Sequence, residues 1–237
     1  PGIEGPVKTT DWINADAIQG GPYNRYGGKQ TWDYAINQIA KGNRKEGYVA
    51  LGHSLHLLQD MAVPDHTRND THAPDDESPY EKSANKWNRN TIITKALPMY
   101  LRREKIEVFD TPEEYLEEMA TYSNRYFFSK DTPNNDDFKY PSLKDVRCMS
   151  EICVLKNDTG DDFKIAYEVK EGGKKKLKLT LPNQDPKDSE VLDDYFDLLS
   201  QKAILHGAGM IKLAKEDVKE AEANLEYSQM LERDTSA

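Results

Sequence analysis

Four of the five histidines in this chain lie between His53 and His72, and acidic residues stand among them. His56 and Asp60 are four residues apart, a spacing that stacks two side chains on one face of a helix. His66 and His72 follow beyond Pro64, and Glu81 comes soon after. An ionised Asp facing a helical core is costly without a partner, and a metal ion removes that cost. Imidazole and carboxylate donors together suit Zn²⁺, which takes three or four of them. The candidate ligands are therefore His56, Asp60, His66, His72 and Glu81. Spacing alone does not separate them from chance, since His-x3-Asp is a short pattern and most helical histidines are satisfied core or surface groups.

Other polar residues carry a functional and a plain reading side by side. A guanidinium at Arg68 matches a phosphate beside such a metal, or pairs with Asp65 or Asp70. His53, one turn before His56, reads as a further ligand, or as helix packing or a hydrogen-bond partner of a ligand. Asp33 is a helix-start acid or a general base. His206 reads as structural. Lys174, Lys175 and Lys176 read as the solvated end of a strand, or as a contact with an anionic membrane surface.

Positioning these groups requires elements that the pattern supplies. Thr31 caps a helix through Trp32, Ala35, Ile36 and Ile39 that Gly42 closes. A second helix over about 44–63 carries Leu51, Leu55, Leu58 and Ala62 as one stripe. Val49, Ala50 and Leu57 extend its apolar surface, so it is expected to be central and buried. Pro64 stops it. A further helix is expected over about 80–103, kinked at Pro98, and another from Pro112 to about Phe128. Phe163, Ile165, Tyr167 and Val169 then alternate, as do Leu177, Leu179 and Leu181, with Gly172-Gly173 between the two runs. Residues 151–156 add a third strand. Helical character returns from about Ser189 towards Glu232 and becomes charged beyond Lys215, as a solvated helix or an interaction arm. The division is a helical metal-binding core over 1–144, a β-meander insertion over 145–183, and a closing helix with a charged tail over 184–237. The class is mainly α with a small antiparallel β insertion.

Composition excludes several functions. No apolar run approaches the ~20 residues of a membrane span. A formal net charge of −10 argues against a broad surface for duplex nucleic acid. One phosphodiester held by metal ions is still compatible with that charge, because bound cations dominate their own site. Cys148 and Cys153 close a small disulfide loop in an exported protein, or are free thiols in a reducing cell. The chain opens on Pro1-Gly2 with no apolar leader core, which reads as a removed leader or a piece of a longer protein.

The run from Leu51-Gly52 through His56, Asp60, Pro64 and His66 to His72 resembles the signature of the zinc-dependent phospholipase C family, whose helical fold is shared with single-strand-specific zinc nucleases. Ser78-Pro79-Tyr80-Glu81 resembles the acidic ligand segment of its bacterial members. Thr121 to Asn124, Phe128 to Thr132, Leu198-Leu199 and Gly207 to Gly209 resemble later stretches, so the likeness covers about half the chain. It implies a multi-helix phospholipase C/nuclease-like domain. It also implies that His56 and Asp60 bind one metal, with Asp60 able to bridge, and that His66 and Glu81 bind a second with His72 or Glu77. Family members complete their cluster with an N-terminal Trp amine, two upstream histidines and an upstream Asp. Here Trp12 is internal and no histidine precedes His53. Either an upstream segment is missing, or fewer metals bind, or Asp11 or Asp33 stands in.

The resemblance implies a zinc-dependent phosphodiester hydrolase holding one to three Zn²⁺ ions. Its substrate would be a phospholipid or another phosphodiester, its location secreted or cell-envelope. A nuclease of the same fold is the neighbouring reading. A non-catalytic binding or structural module that keeps a zinc site is the reading from a different class. Self-association through the C-terminal helix is a further expectation.

Overall fold

A computed structural model describes residues 28–68, 78–135 and 138–235 of the 237. Seven α-helices and one four-stranded sheet lie among them. The chain divides into a first unit (Pro1–Gln59, Ile106–Glu117, Leu205–Ala237) and a second (Asp60–Lys105, Glu118–Ile204).

In the first unit, helix α1 (Trp32–Ala40) begins where expected. Thr31 is extended, and its hydroxyl accepts from the Tyr34 amide at 3.3 Å. Gly42, at φ +83°, takes the left-handed conformation that lets the chain leave the helix. Helix α2 (Arg44–Met61) buries Gly47, Ala50, Leu51, Ser54, Leu57 and Leu58, a single stripe at helical spacing. Tyr48 and Val49 are more than half exposed, so α2 is a one-faced helix and not the central, fully buried one expected. Gly47 is obligatory there: a Cβ would stand 2.5 Å from Ile39 Cγ1 and 2.9 Å from the Ile39 amide nitrogen. The indole of Trp32 donates to Asp217 at 2.8 Å, tying α1 to the long helix α7 (Glu190–Thr235). His206 on α7 is wholly buried between Phe109 and Tyr115, with Glu107 3.5 Å from its Nε2.

The second unit holds the end of α2, then α3 (Pro64–Thr67), α4 (Pro79–Ala84) and α5 (Arg89–Leu101), and most of α6 (Pro112–Tyr126). The single helix expected over 80–103 is two. Asn88 starts the second by accepting from the amides of Asn90 and Thr91 at 2.9 and 3.1 Å. That side-chain cap competes with helix continuation.

Strands β1 (Arg147–Met149), β2 (Ile152–Lys156), β3 (Asp162–Glu171) and β4 (Lys174–Lys178) form an antiparallel meander in chain order. Gly172 and Gly173 both have positive φ, as a two-residue hairpin turn demands. β1 was not expected. It pairs Cys148 directly with Cys153 of β2, and the two form a disulfide. The expected class, a mainly α multi-helix phospholipase C/nuclease-like domain carrying a small β insertion, is corrected by this sheet. β3 buries Phe163, Ile165, Ala166, Tyr167 and Val169, so its middle is covered on both faces. Phe127 lies 5.3 Å from Phe163 and 4.9 Å from Tyr195 of α7. The Tyr195 hydroxyl donates to the Ile165 carbonyl at 2.7 Å and accepts from the Phe128 amide at 3.2 Å. The sheet therefore shares this unit's core with the helices, an α+β arrangement rather than an insertion on a helical body.

This burial has a pH consequence. Burial pushes the Tyr122 and Tyr195 hydroxyls well above the ordinary 10.0, and the Asp158 charge adds to the shift at Tyr122. The folded state holds these protons more tightly than the unfolded chain does, so their contribution is intact below the unfolded value and is lost as pH rises above it. Denaturant midpoints should stay level up to about pH 9.5 and fall beyond pH ~10. Tyr195→Phe should flatten part of that fall; an unchanged alkaline limb would contradict the assignment.

Candidate metal centre

Two proline-started helices bring His66 and Glu81 together, with Asp60 nearby, in the second unit. Val63 is extended, as the residue before a proline prefers, and Pro64 then opens α3 at its first position. The turn carries the chain from Asp60, near the end of α2, to His66 within six residues. α4 opens in the same way, with Ser78 as N-cap and Pro79 following; the Ser78 hydroxyl accepts from the Glu81 amide at 3.3 Å. Ser78-Pro79-Tyr80-Glu81 is thus an S-x-x-E capping sequence, a signal legible in the chain but not used above.

The imidazole of His66 lies between two carboxylates. Its Nδ1 is 3.7 Å from Asp60 Oδ1 and its Nε2 is 3.8 Å from Glu81 Oε1. Both separations exceed a hydrogen bond. Donor atoms sharing a tetrahedral zinc at ~2.0–2.1 Å stand about 3.4 Å apart, so the Nε2···Oε1 pair is within a few tenths of an ångström of such an edge. Asp60 faces the other ring nitrogen, where a carboxylate orients a ligating imidazole. All three side chains are 29–40% exposed, so solvent reaches the group.

The fit to zinc is partial. Among the described residues, no group of three or more His, Cys, Asp or Glu is arranged to hold a metal ion. His66 and Glu81 supply one edge, and further donors would have to come from elsewhere. His72 and Glu77, as well as Asp11 and Trp12, lie outside the described residues. His56 precedes Asp60 by one helical turn and is exposed, in the first unit. His53 is half-buried, and Asp33 is exposed in the first turn of α1, which suits a helix-start acid. Lys175 and Lys176 pair with Glu168 and Glu171 at 2.7 and 3.1 Å, as a solvated strand end does.

Arg68 is buried, and its Nη2 donates to the carbonyls of Asn124, Phe127 and Tyr140, the latter two at 2.8 and 2.6 Å. The guanidinium also stands over the Phe138 ring at 5.3 Å. It closes the end of α6 and ties the following loop to α3.

Asp65 is the residue that spacing did not single out for positioning. Its carboxylate is buried; Oδ2 accepts from the Ser78 hydroxyl at 2.7 Å and Oδ1 from the Lys130 amide at 3.3 Å. The Ser78 hydroxyl therefore donates to the helix bearing His66 and accepts from the amide of Glu81. One side chain holds the two halves of the candidate edge in register. The buried Tyr80 hydroxyl, pushed up first by burial and then by the Asp65 and Glu81 charges, lies against the same junction. Ser78→Ala should cost ~1–2 kcal/mol, because it removes a cap and strips a partner from a buried carboxylate. It should also weaken zinc binding ~10-fold or more. Chelator competition on the folded variant checks this, and unaltered affinity would mean that α3 and α4 keep their register without the hydroxyl.

No protein-family model, curated protein or solved structure matches this chain. Among the described residues, no helix is long and apolar enough to cross a membrane.

Proposed function

We propose that this protein is a zinc-dependent phosphodiester hydrolase of phospholipase C-like activity, with its metal centre built on His66 and Glu81. Asp60 would support it at the other ring nitrogen. The observation that carries the reading is the imidazole of His66 held between the carboxylates of Asp60 and Glu81. These donors are separated by up to 21 positions in the chain and are brought together by two short proline-started helices.

The chemistry a bound zinc supplies is polarisation of a phosphoryl oxygen and activation of water near neutral pH. The chain's own residues hold the geometry. Asp60 faces Nδ1 from 3.7 Å, on the side opposite Glu81, and would orient the ring once a metal is held at Nε2. Asp65 and Ser78 set the distance between the two helices, and partial exposure admits substrate and water, as a catalytic rather than a closed structural position requires. The net charge of −10 fits recognition of one phosphodiester by local cations better than tracking of a polyanion. The reading does not draw on Arg68, whose Nη2 serves the main chain.

A second reading is a non-catalytic module that keeps zinc as a staple. It is motivated by the exposed, charged end of α7 beyond Lys215, which suits a partner rather than a substrate. Elemental mass spectrometry on protein purified without chelator separates the two. It should be paired with turnover of phosphatidylcholine vesicles, a soluble aryl phosphodiester and single-stranded DNA. Zinc with turnover of either phosphodiester supports the hydrolase, and turnover of DNA alone turns it into a nuclease. Zinc with no turnover favours the module, and protein free of zinc ends both readings.

A further inference from the structure

We infer that the hollow beside the β1–β2 hairpin is a binding site for a small phosphate-bearing anion, separate from the candidate metal centre. The hollow has a volume of about 500 Å³, within the range of small-molecule sites. Four cations line it: Arg125 at the end of α6, Lys144 in the loop, Arg147 on β1 and Lys156 on β2. Asp145 is the one carboxylate among the lining residues. A chain with ten more negative than positive charges thus collects positive charge in one concave place.

The way these cations are used sharpens the argument. Arg147 and Lys156 share a single carboxylate, Asp162, at 2.5 and 3.7 Å. Arg125 and Lys144 form no ion pair among the described residues. The Arg125 guanidinium instead stands over the rings of Tyr126 and Tyr140, with centroids 5.6 and 5.9 Å away. Like charges gathered this closely repel, and a dianion offsets that repulsion through charge-assisted hydrogen bonds. A guanidinium presents paired N–H groups that match phosphate oxygens, and the two tyrosine rings offer apolar faces to the organic part of a ligand.

The wall is also pre-organised. Buried Arg68 donates to the Tyr140 carbonyl, fixing the loop that carries Tyr140, and buried Leu155 lines the hollow. A neighbouring hollow of about 400 Å³ shares Arg125 and Tyr140 and reaches Thr67, the residue after His66. The two hollows adjoin at these shared residues. The inference does not depend on zinc at His66.

The test is calorimetric titration of the full chain with glycerol 3-phosphate, alongside co-sedimentation with phosphatidylcholine vesicles with and without phosphatidylinositol 4-phosphate. The variants are Arg125→Gln/Lys144→Gln and Arg147→Gln/Lys156→Gln, all at exposed positions. Each double variant should weaken binding at least about tenfold. The control Lys170→Gln/Lys215→Gln removes the same charge elsewhere and should stay within about twofold, and His66→Ala should be unchanged. Binding of glycerol 3-phosphate assigns the site to a free organic phosphate. Binding only to vesicles bearing the phosphorylated headgroup assigns it to a lipid. No binding of any probe, or equal weakening in the control pair, overturns the site. A loss seen only in His66→Ala would overturn it too, and would place the anion at the metal centre instead.

Discussion

His66→Ala is expected to lower zinc affinity by well over a hundredfold, roughly beyond the 10–100-fold typical of groups that merely orient a ligand. Two separations motivate the size of the effect: Nε2 to Glu81 at 3.8 Å and Nδ1 to Asp60 at 3.7 Å. Removing the ring takes away the imidazole donor and with it the His66–Glu81 edge. Wild-type protein should melt higher with zinc, because a ligand at ~100 times its Kd stabilises by ~2.7 kcal/mol. His66→Ala should lose that shift while keeping its metal-free melting point, since the side chain is partly exposed. His56→Ala reports on the ligand implied by resemblance alone. Full zinc content in His66→Ala would end the proposed centre, whatever His56→Ala does.

The second large effect concerns the sheet. Phe127 is wholly buried, with Tyr195, Phe163 and Tyr122 at ring distances of 4.9, 5.3 and 5.6 Å. Phe127→Ala should cost ~3–5 kcal/mol, from lost transfer energy and from the cavity left between helix and strand. That is a large share of the ~5–15 kcal/mol that stabilises a typical domain. Met149→Ala, on β1 and 70% exposed, should change stability by no more than ~0.5 kcal/mol. Urea denaturation followed through helical and aromatic signals measures both. If Phe127→Ala left the helical transition in place, the sheet would be an appendage after all, and the shared core would be wrong.

Local chemistry made much of this molecule legible. Thr31 and Gly42 bound α1 because a hydroxyl cap and a left-handed glycine act within one turn. Pro64 and Pro112 mark a stop and a start by their fixed φ, and the alternation of Phe163, Ile165, Tyr167 and Val169 is a strand with a buried face. The break at Asn88 was equally local: it lies in a stretch rich in Asn and Thr, residues that cap helices in preference to extending them. The hidden parts were non-local. Burial gave Arg68 three main-chain carbonyl partners and made Asp65 the residue that holds Ser78. Neither role has a spacing signature, because each depends on what another element presents.

The sequence by itself determined where most helices begin and which strands alternate, and it singled out His56, Asp60, His66, His72 and Glu81 as candidate zinc donors. These follow from backbone propensity and side-chain chemistry, which operate over a few residues. Only the tertiary structure decided that Cys148 and Cys153 are joined and that the sheet shares a core with Phe127 and Tyr195. It also decided that His66 stands between Asp60 and Glu81, and that four cations gather beside β1 and β2. The disulfide needed only the local pairing of β1 with β2; the others bring together residues from separate elements, and a chain specifies such contacts only through the packing of whole faces.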